Sequence, residues 1–468
     1  MSVTETQPTT LGDLKASGYE FQPVKQEMRR NLIRKLRLGD ELFPGVIGYD
    51  ESVVPQLVNG LLSCQDLILL GERGQAKSKI VRSLGSLLDE AFPVLADAEI
   101  PESPITPITK IGKAIVADQG DDASIRWLDR EDRYAEKLAT PDITIADLLG
   151  EIDPVKIAEG RYLADESTLH YGLIPRVNHG IFAINELPDL AERIQVGLLN
   201  ILEERDVQIR GHKIRLPLDV FLVVTANPED YTNRGRLITP LKDRFGSQVR
   251  THYPQSEGDE LRIVHQEATP LDLQDRSLDV PDFMGRIAVE ITHLARDSAD
   301  INQRSGVSVR TSITVYETML ANAFRRALQL DEKVVVPRIS DLQYILAALY
   351  GKLEFEVFDE SEEDAVVTKL INTAVQNVWD RIYDLDEMEA MMEYFENVES
   401  IEVGADVPLD VYASCVASSE ALRGTLKNYA PESASLASEL EFLLEGMYLH
   451  DLVSKESYAH RERYMARE

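Results

Sequence analysis

The chain has little cysteine, little tryptophan and too few basic side chains to balance its acids. Its 468 residues include 2 Cys and 2 Trp, and 49 Lys and Arg stand against 81 Asp and Glu, a formal net charge of −32. Cys64 and Cys415 have no metal-ligand spacing, so we interpret them as small buried hydrophobic residues rather than a disulfide. The negative charge argues against non-specific nucleic-acid binding over most of the surface.

Long hydrophobic runs are also missing. No segment approaches the apolar length that a membrane span needs, and we see no charged-then-apolar leader, so we expect a cytoplasmic protein without a membrane span. The composition is 44% hydrophobic and 28% charged, which is ordinary for a globular protein. A chain of 468 residues is too long for one core and predicts two or three domains.

The stretch from Leu67 to Ser78 reads L-I-L-L-G-E-R-G-Q-A-K-S. Its apolar start predicts a short buried strand, and the amphipathic residues that follow it predict a helix. Strand, glycine-bearing turn, Lys-Ser and helix is the pattern that binds nucleotide phosphates, with Lys77 on the terminal phosphates and the Ser78 hydroxyl on Mg²⁺. Ala76 stands where the strict pattern has glycine. The candidate phosphate-loop residues are Gly71, Glu72, Arg73, Gly74, Gln75, Ala76, Lys77 and Ser78.

A second apolar stretch begins at Gly180 and ends in Asn185 and Glu186. A phosphate-loop ATPase needs an acidic pair here, the first acid for the Mg²⁺ shell and the second to polarise the attacking water. Asn185 can accept a hydrogen bond from a metal-bound water but lacks the charge that favours the metal. We therefore predict Glu186 as the catalytic base, Asn185 in the metal shell, slow Mg²⁺-dependent hydrolysis, and equal or faster turnover in Asn185→Asp.

Further positions are candidates for sensing the nucleotide. Asn227 ends a third apolar strand, where it can hold the attacking water or sense the γ-phosphate. Arg244, in L-K-D-R-F-G, is a candidate arginine finger acting on a neighbouring subunit. Arg310 lies in the first turn of a predicted helix, where a cation is misplaced unless an anion such as ATP is near. Val46 and Ile47, before the first helix of the domain, are candidates for adenine contact.

The order of these patterns predicts four segments and an α/β fold with a parallel sheet. They are an N-terminal tail and amphipathic helix (1–44), an α/β nucleotide-binding domain (45–257), an all-helical lid (258–353) and an acidic helical C-terminal region (354–468) whose charged end should fray. Within them we predict a basic helix from Val24 to Leu42 docked on the next domain, a strand from Ile111 to Ala117, and a β-hairpin about Gly211. Residues 354–406 hold seventeen acids and two bases, which we interpret as a solvated helical surface or as a docking face for a basic partner.

The ordered set of motifs resembles the AAA+ ATPases, and among them the magnesium chelatase ATPase subunit and the MoxR-type ATPases. A-K-S and G-V-S-V-R resemble the MoxR versions. The runs G-E-I-D-P-V-K-I-A-E-G-R, G-L-I-P-R-V-N-H-G-I-F-A-I-N-E, N-P-E-D and L-K-D-R-F-G resemble the chelatase subunit. The resemblance spans roughly 45–351 and leaves the N-terminal helix and the last ~115 residues uncovered.

The resemblance implies ATP and Mg²⁺ as cofactors and a role for each candidate residue. Lys77 and Ser78 would hold phosphate and Mg²⁺, Glu186 would be the base, and Asn227 the first sensor. It also makes Arg244 a finger that acts in trans and Arg310 the second sensor. The segment from Asp165 to Tyr171 and the hairpin near Gly211 would be moving insertions.

The leading hypothesis is a homo-oligomeric ATPase motor that remodels a partner protein, and because Arg244 would act across a subunit interface we predict a hexameric ring. The resemblance implies a partner of the von Willebrand type or of a chelatase complex. One alternative is a nucleotide-gated scaffold that hardly turns ATP over, which Asn185 would permit. The other is an AAA+ transcription regulator, disfavoured because neither a G-A-F-T-G-A loop nor a C-terminal helix-turn-helix with basic recognition residues is seen.

Overall fold

The structure of the protein is a computed structural model. It describes residues 7–153, 168–203, 207–209, 212–214, 216–227, 237–303, 306–356, 359–398, 400–427, 433–458 and 461–467. The chain divides into two compact units between His252 and Tyr253, so that residues 1–44 belong to the same unit as the phosphate loop. Among the described helices, none combines the length and the apolar character that crossing a membrane would require.

A five-stranded parallel sheet forms the centre of the first unit. The described strands of this unit are β1 (Leu67–Leu70), β2 (Ala91–Leu95), β3 (Ile125–Asp129), β4 (Tyr134–Leu138), β5 (Gly150–Ile152), β6 (Leu169–Tyr171), β7 (Gly180–Asn185), β8 (Val207–Ile209), β9 (His212–Ile214), β10 (Val220–Ala226) and β11 (Ser247–Arg250). The sheet has the order β11-β1-β10-β7-β4. Leu67 of β1 aligns with Val223 on one side and Ser247 on the other, both in parallel. The predicted parallel α/β domain around Leu67–Leu70 is therefore confirmed.

Helices cover both faces of this sheet. The described α-helices of this unit are α1 (Leu11–Ala16), α2 (Val24–Leu38), α3 (Val53–Leu62), α4 (Lys77–Ser83), α5 (Lys110–Gln119), α6 (Ile145–Leu149), α7 (Leu173–Arg176), α8 (Glu192–Glu203) and α9 (Thr239–Arg244). One hydrophobic cluster lies on the face of α4 and another on the face of α8. This arrangement follows from the sequence, because β1, β7 and β10 are apolar along their length and a parallel sheet must be buried on both sides.

The predicted N-terminal basic helix is α2, and it is docked on the sheet as expected. Val24, Met28 and Leu32 are fully buried in the cluster that also holds β1 and α4. The helix ends at Leu38, earlier than predicted, because Gly39 takes a left-handed conformation with φ 73°.

The segment between α4 and β4 differs from the sequence prediction. Ile111 to Ala117 was predicted as a strand, and this was wrong: it lies inside α5. Thr109 caps this helix by accepting a hydrogen bond from the Gly112 N–H at 2.8 Å. Apolar Ile111, Ala114 and Ile115 fit a helical spacing better than alternation. The segment also contains an antiparallel pair, β2 and β3, that the sequence analysis did not predict.

Two further antiparallel pairs lie in this unit. The hairpin predicted about Gly211 is observed as β8 and β9, which pair in antiparallel fashion, whereas Gly211 itself lies outside the described residues. β5 pairs with β6, and the predicted moving segment from Asp165 is described only from Thr168 onward.

The second unit is mainly helical, as predicted for its lid and C-terminal region. One hydrophobic core extends from Val264 to Tyr464 and joins the two predicted segments. Its described α-helices are α10 (Glu257–Glu267), α11 (Asp282–Asp297), α12 (Val309–Gln329), α13 (Leu346–Tyr350), α14 (Glu360–Trp379), α15 (Glu389–Asn397), α16 (Leu409–Ser418), α17 (Glu420–Thr425) and α18 (Leu436–Leu449).

The second unit also contains strands that the sequence analysis missed. They are β12 (Ser277–Leu278), β13 (Val334–Val335), β14 (Ile401–Gly404), β15 (Val453–Tyr458) and β16 (Arg461–Ala466). The last three form an antiparallel sheet with β16 in the middle, between β14 and β15. The charged end was predicted to fray, but its described residues 453–458 and 461–466 form strands, and Arg463 of β16 pairs with Glu402 of β14 at 2.7 Å. Cross-strand charge pairs of this kind support a sheet whose residues look polar in sequence.

Candidate functional site

The phosphate loop runs from the end of β1 into α4, at the carboxyl edge of the parallel sheet. Gly74 has φ 76° and Ala76 φ 54°, so both take the left-handed conformation. Glycine adopts it without strain, whereas for alanine it costs about 1–2 kcal/mol. The loop therefore keeps the left-handed backbone at position 76 even though alanine replaces the glycine of the strict motif.

Lys77 is buried and tied to two catalytic candidates. Its Nζ donates to the Glu72 carbonyl at 2.7 Å and to Asn227 Oδ1 at 2.9 Å, and the residue is only 7% exposed. Asn227 Nδ2 in turn donates to Glu186 Oε2 at 2.7 Å. These contacts link the predicted phosphate lysine, the first sensor and the base in one hydrogen-bonded chain.

Glu186 has an unusual backbone conformation. Its φ of 55° and ψ of 46° are left-handed, and its N–H donates to Thr225 Oγ1 at 3.1 Å. Non-glycine residues held in such conformations concentrate at functional sites. This conformation and the Asn227 contact fix the carboxylate at the end of β7, beside the end of β10.

Asn185 lies between a hydroxyl and a carboxylate. Its Oδ1 accepts from Thr225 Oγ1 at 3.3 Å, and its Nδ2 donates to Glu136 Oε1 at 2.5 Å. Glu136 is on β4, the sheet neighbour of β7, and Arg82 of α4 donates to its two oxygens at 2.8 and 3.1 Å. Partial burial acts to raise the pKa of Glu136, but the hydrogen bonds from Arg82, Asn185 and Tyr134 together lower that pKa below its ordinary range.

Gln75 and the residues that hydrogen-bond to it form one wall of the phosphate loop. Gln75 Oε1 accepts from the Glu72 N–H at 3.0 Å and from Thr251 Oγ1 at 2.7 Å. The Tyr49 hydroxyl donates to the Gln75 carbonyl at 3.0 Å, and burial raises the pKa of Tyr49 to about 12. These contacts fasten the loop to the segment before α3 and to the end of β11.

A cleft of about 390 Å³ opens beside this wall. Gly71, Glu72 and Gln75 line it from the loop, and Lys242 and Arg250 contribute positive charge. Backbone N–H groups at a helix start and nearby cations are the environment that a polyphosphate requires.

The residues near the loop also fit Mg²⁺. Ser78 is exposed in the first turn of α4, and Asn185, Glu186 and Glu136 add further oxygen atoms at the neighbouring strands. Mg²⁺ prefers oxygen ligands and is usually held by one or two carboxylates together with nucleotide phosphates. The described part of the chain has no group of three or more His, Cys, Asp or Glu placed to hold a metal by themselves.

The remaining candidates lie in different places. Val46 is half-buried and packs on the cluster around β1, and Ile47 is half-buried beside it. Arg73 is exposed on the loop. Arg244 is the last residue of α9, where its guanidinium donates to Asp243 at 2.9 Å. Arg310 is exposed in the second unit, so its role as second sensor stays a prediction.

A buried carboxylate anchors the segment before Arg310. Glu260 of α10 accepts from His293 Nε2 at 2.8 Å and from Arg296 at 2.7 and 2.9 Å, and it also accepts from Ser312. Arg296 Nε donates to the Val307 carbonyl at 2.9 Å. Burial acts to raise the pKa of Glu260, but the hydrogen bonds from His293, Arg296 and Ser312 lower it overall.

Sequence reasoning missed several residues that the structure places at the site: Tyr49, Arg82, Glu136, Thr225 and Thr251. Thr225 directly precedes the motif-bearing end of β10, so its position in the sequence could have identified it. Glu136 had no such signal, because β4 was not predicted as a strand.

Comparison with known proteins supports the class that this fold and site define. Residues 157–244 match the family model described as Sigma-54 interaction domain. The magnesium-chelatase subunit ChlI of Nostoc sp. is 27% identical over 228 residues, which are 48% of this chain and 58% of that protein. The magnesium-chelatase 38 kDa subunit of Rhodobacter capsulatus is 24% identical over 240 residues, 48% of this chain and 60% of that protein. The chain thus spans about 60% of the length of these curated relatives.

Solved structures show weaker likeness. A putative ATPase from Cytophaga hutchinsonii is 13% identical, with a TM-score of 0.31, over 77% of this chain and 97% of that one. A chain from the cryo-EM complex between subunits BchI and BchD of magnesium chelatase is 18% identical, with a TM-score of 0.35, over 69% of this chain and 98% of that one. These TM-scores are too low to support a conclusion about this chain.

The motifs, the sequence matches and the parallel sheet with a helical second unit together support an AAA+ ATPase. The curated relatives that the chain matches are subunits of magnesium chelatase, whereas the likeness to the MoxR-type ATPases rests on the motifs A-K-S and G-V-S-V-R.

Proposed function

We propose that this chain binds ATP with Mg²⁺ at the phosphate loop and hydrolyses it, as the motor of an assembly that remodels a partner protein. Lys77 and the loop N–H groups hold the phosphates, and Ser78 is the hydroxyl available to Mg²⁺. The ion, when bound, neutralises phosphate charge, and Glu186 takes the proton of the attacking water while Asn227 orients that water.

The observation that carries this proposal is the hydrogen-bonded chain from Lys77 through Asn227 to Glu186. A lysine, an amide and a carboxylate that follow three different strands meet at one edge of a parallel sheet. The folding of a strand end does not require these three side chains to be hydrogen-bonded to one another. Phosphoryl transfer requires them to be close together, because its catalysis is mostly positioning and electrostatic stabilisation.

Glu186→Gln tests the hydrolysis directly. The substitution keeps an acceptor for Asn227 but removes the base, so we expect hydrolysis to fall by about 10²–10⁴-fold while ATP still binds. The exposed Glu192 of α8 provides the matched control, since Glu192→Gln removes the same charge from a side chain outside the Lys77–Asn227–Glu186 hydrogen-bonded chain. Equal hydrolysis in Glu186→Gln and the wild type, measured as phosphate release, would contradict the assignment.

We further propose a homo-oligomer, most simply a hexameric ring, in which Arg244 acts on the nucleotide of a neighbouring subunit. The position of Arg244 at the end of α9, partly exposed, supports a role at an interface. The partner we propose is of the chelatase-complex or von Willebrand type, because ChlI relatives are among the curated proteins that the chain matches. A cytoplasmic location stays a prediction.

A second candidate function, transcription regulation, has one observation in its favour. The family model that matches residues 157–244 is named for interaction with Sigma-54. The match covers less than a fifth of the chain and ends before the second unit. Co-purification with a sigma factor, tested against co-purification with a chelatase-type or von Willebrand-type protein, separates the two functions. The third possibility, a scaffold that binds ATP without turnover, is separated by the hydrolysis assay above.

A further inference from the structure

Asn185 stands where the family's pattern has an acid, and the structure places a different acid against it. Asn185 Nδ2 donates to Glu136 Oε1 at 2.5 Å, and Asn185 Oδ1 accepts from Thr225 at 3.3 Å. Both ends of the amide are thus engaged, and the end that faces β4 points at a carboxylate. The negative charge that an acid would carry at position 185 is carried instead by the neighbouring Glu136.

Glu136 is held in place by more than this amide. Arg82 donates to both of its oxygens, and the Tyr134 hydroxyl donates to Oε2 at 3.1 Å. Its side chain is 18% exposed, whereas that of Arg82 is 67% exposed. Arg82 belongs to α4, the helix that starts with Lys77 and Ser78. Glu136 therefore connects the phosphate-loop helix with the end of β7.

We propose that Glu136 and Asn185 act as a pair, in which Glu136 supplies the carboxylate charge that organises the Mg²⁺ shell of the bound nucleotide and Asn185 transmits it by its hydrogen bond. Outer carboxylates that orient metal-shell groups typically change metal affinity about 10–100-fold when removed. The inference rests on the proposed function, since the ion considered is the one that accompanies ATP.

The pairing changes what an aspartate at position 185 should do. From the sequence alone, Asn185→Asp is expected to leave turnover equal or raise it. In the structure, the new carboxylate would lie within hydrogen-bonding distance of Glu136 with no proton to share. Two like charges at this distance repel, and a bound cation relieves the repulsion. An aspartate at 185 should therefore be compatible with a glutamine at 136.

The first test is nucleotide affinity with and without the metal. A fluorescent ATP analogue is titrated in MgCl₂ and in EDTA, and the ratio of the two affinities gives the Mg²⁺ enhancement. We expect Glu136→Gln to keep the affinity in EDTA but to lose about 10-fold or more of the enhancement. Asp89→Asn is the matched control. Like Glu136, Asp89 accepts hydrogen bonds from an arginine and an asparagine, Arg30 at 2.7 Å and Asn31 at 2.9 Å, but it follows α4 in the chain, at the end of that segment away from Lys77.

The second test needs no nucleotide and covers the case in which Glu136→Gln does not fold. We expect Asn185→Asp to lower the Tm in NaCl and to regain part of it in MgCl₂ at equal ionic strength. The Glu136→Gln/Asn185→Asp double variant should have a Tm close to that of the wild type and recover the Mg²⁺ enhancement. This recovery by charge exchange would not follow if Glu136 merely supported the fold.

Several results would overturn the inference. One is an unchanged Mg²⁺ enhancement in Glu136→Gln, equal to that of Asp89→Asn; another is a double variant no better than either single one. A loss of affinity in EDTA as large as that in MgCl₂ would also overturn it, because Glu136 would then act on the loop and not on the metal. Failure of the wild type to bind the analogue at all is a distinct result and would refute the proposed function itself.

Discussion

Replacing Glu27 by Gln should destabilise the first unit more than any exposed charge change, because it leaves a buried guanidinium without its counter-charge. Glu27 receives two hydrogen bonds from Arg133, at 2.8 and 2.6 Å. The side chains of Arg133 and Glu27 are 0% and 2% exposed. Arg133 also donates to the His179 carbonyl at 2.9 and 2.6 Å and lies 4.3 Å from the ring centre of Phe92. The pair thus fastens α2 to the start of β7.

The expected magnitude follows from this geometry. Removing one partner of a buried ion pair costs about 3–5 kcal/mol, and Gln keeps the volume of Glu, so cavity formation adds nothing. Each ~1.4 kcal/mol changes the equilibrium constant for opening by a factor of ten. Amide hydrogens that exchange through opening of this unit should therefore exchange about 10²–10⁴-fold faster. Hydrogen exchange of α2 and β7 peptides, followed by mass spectrometry, measures this in the first unit alone.

Two controls make this result decisive. Arg30→Gln breaks the Arg30–Asp89 pair, whose side chains are 47% and 39% exposed, and should cost about 0–1 kcal/mol. The Glu27→Met/Arg133→Met double variant removes both charges and should recover most of the loss. An acceleration below about tenfold in Glu27→Gln, equal to that in Arg30→Gln, would refute the reasoning.

Three further predictions concern the loop, the second unit and the assembly. Gly71→Ala should abolish ATP binding in a titration, because a Cβ there would lie 1.8 Å from Thr251 Oγ1, whereas Gly85→Ala, with open space around its Cβ, should bind normally. Glu260→Gln should lower the Tm near pH 7, because the lowered pKa of Glu260 stabilises the folded state. That stabilisation is complete above the ordinary Glu pKa of about 4.3 and is lost as the pH falls through the pKa of the folded state. The difference in Tm between the variant and the wild type should therefore shrink below about pH 4.3. Lys77→Ala and Arg244→Ala subunits should each be nearly inactive, yet mixed assemblies should regain phosphate release; no recovery in mixed rings that demonstrably form would contradict the action of Arg244 in trans.

The parts of the site that the sequence could predict are local ones. The strand Leu67–Leu70, the turn and Lys77 are contiguous, so their chemistry and structure could be predicted together. Glu186 and Asn227 each follow an apolar strand, and parallel strands bring such ends to one edge of the sheet. Their meeting with Lys77 was therefore expected, and the hydrogen bonds at 2.9 and 2.7 Å fit it.

What could not be predicted depends on sheet order and on weak local patterns. Tyr134–Leu138 is an edge strand with half-buried, partly charged residues, so neither alternation nor a continuous apolar run marked it, and Glu136 went unnoticed. The strand predicted at Ile111–Ala117 failed because β-branched residues there also fit one face of a helix. In the C-terminal sheet, β16 begins with three charged residues and ends with Tyr464, Met465 and Ala466, so it has no alternating pattern, and only its pairing with β14 and β15 identifies it as a strand.

Two backbone conformations at the site depend on tertiary contacts and not on the local sequence. Ala76 and Glu186 both take positive φ values, 54° and 55°, on either side of the Lys77–Asn227 hydrogen bond. Neither residue prefers this conformation, and each costs roughly 1–3 kcal/mol that surrounding contacts must offset. For Glu186 the contact is Thr225; for Ala76 it is the loop wall that Tyr49 and Thr251 fasten at Gln75. Ala76 directly precedes Lys77, and Glu186 is the predicted base, so contacts made by neighbouring residues, such as the hydrogen bond from the Tyr49 hydroxyl to the Gln75 carbonyl, help to set the geometry of the candidate site.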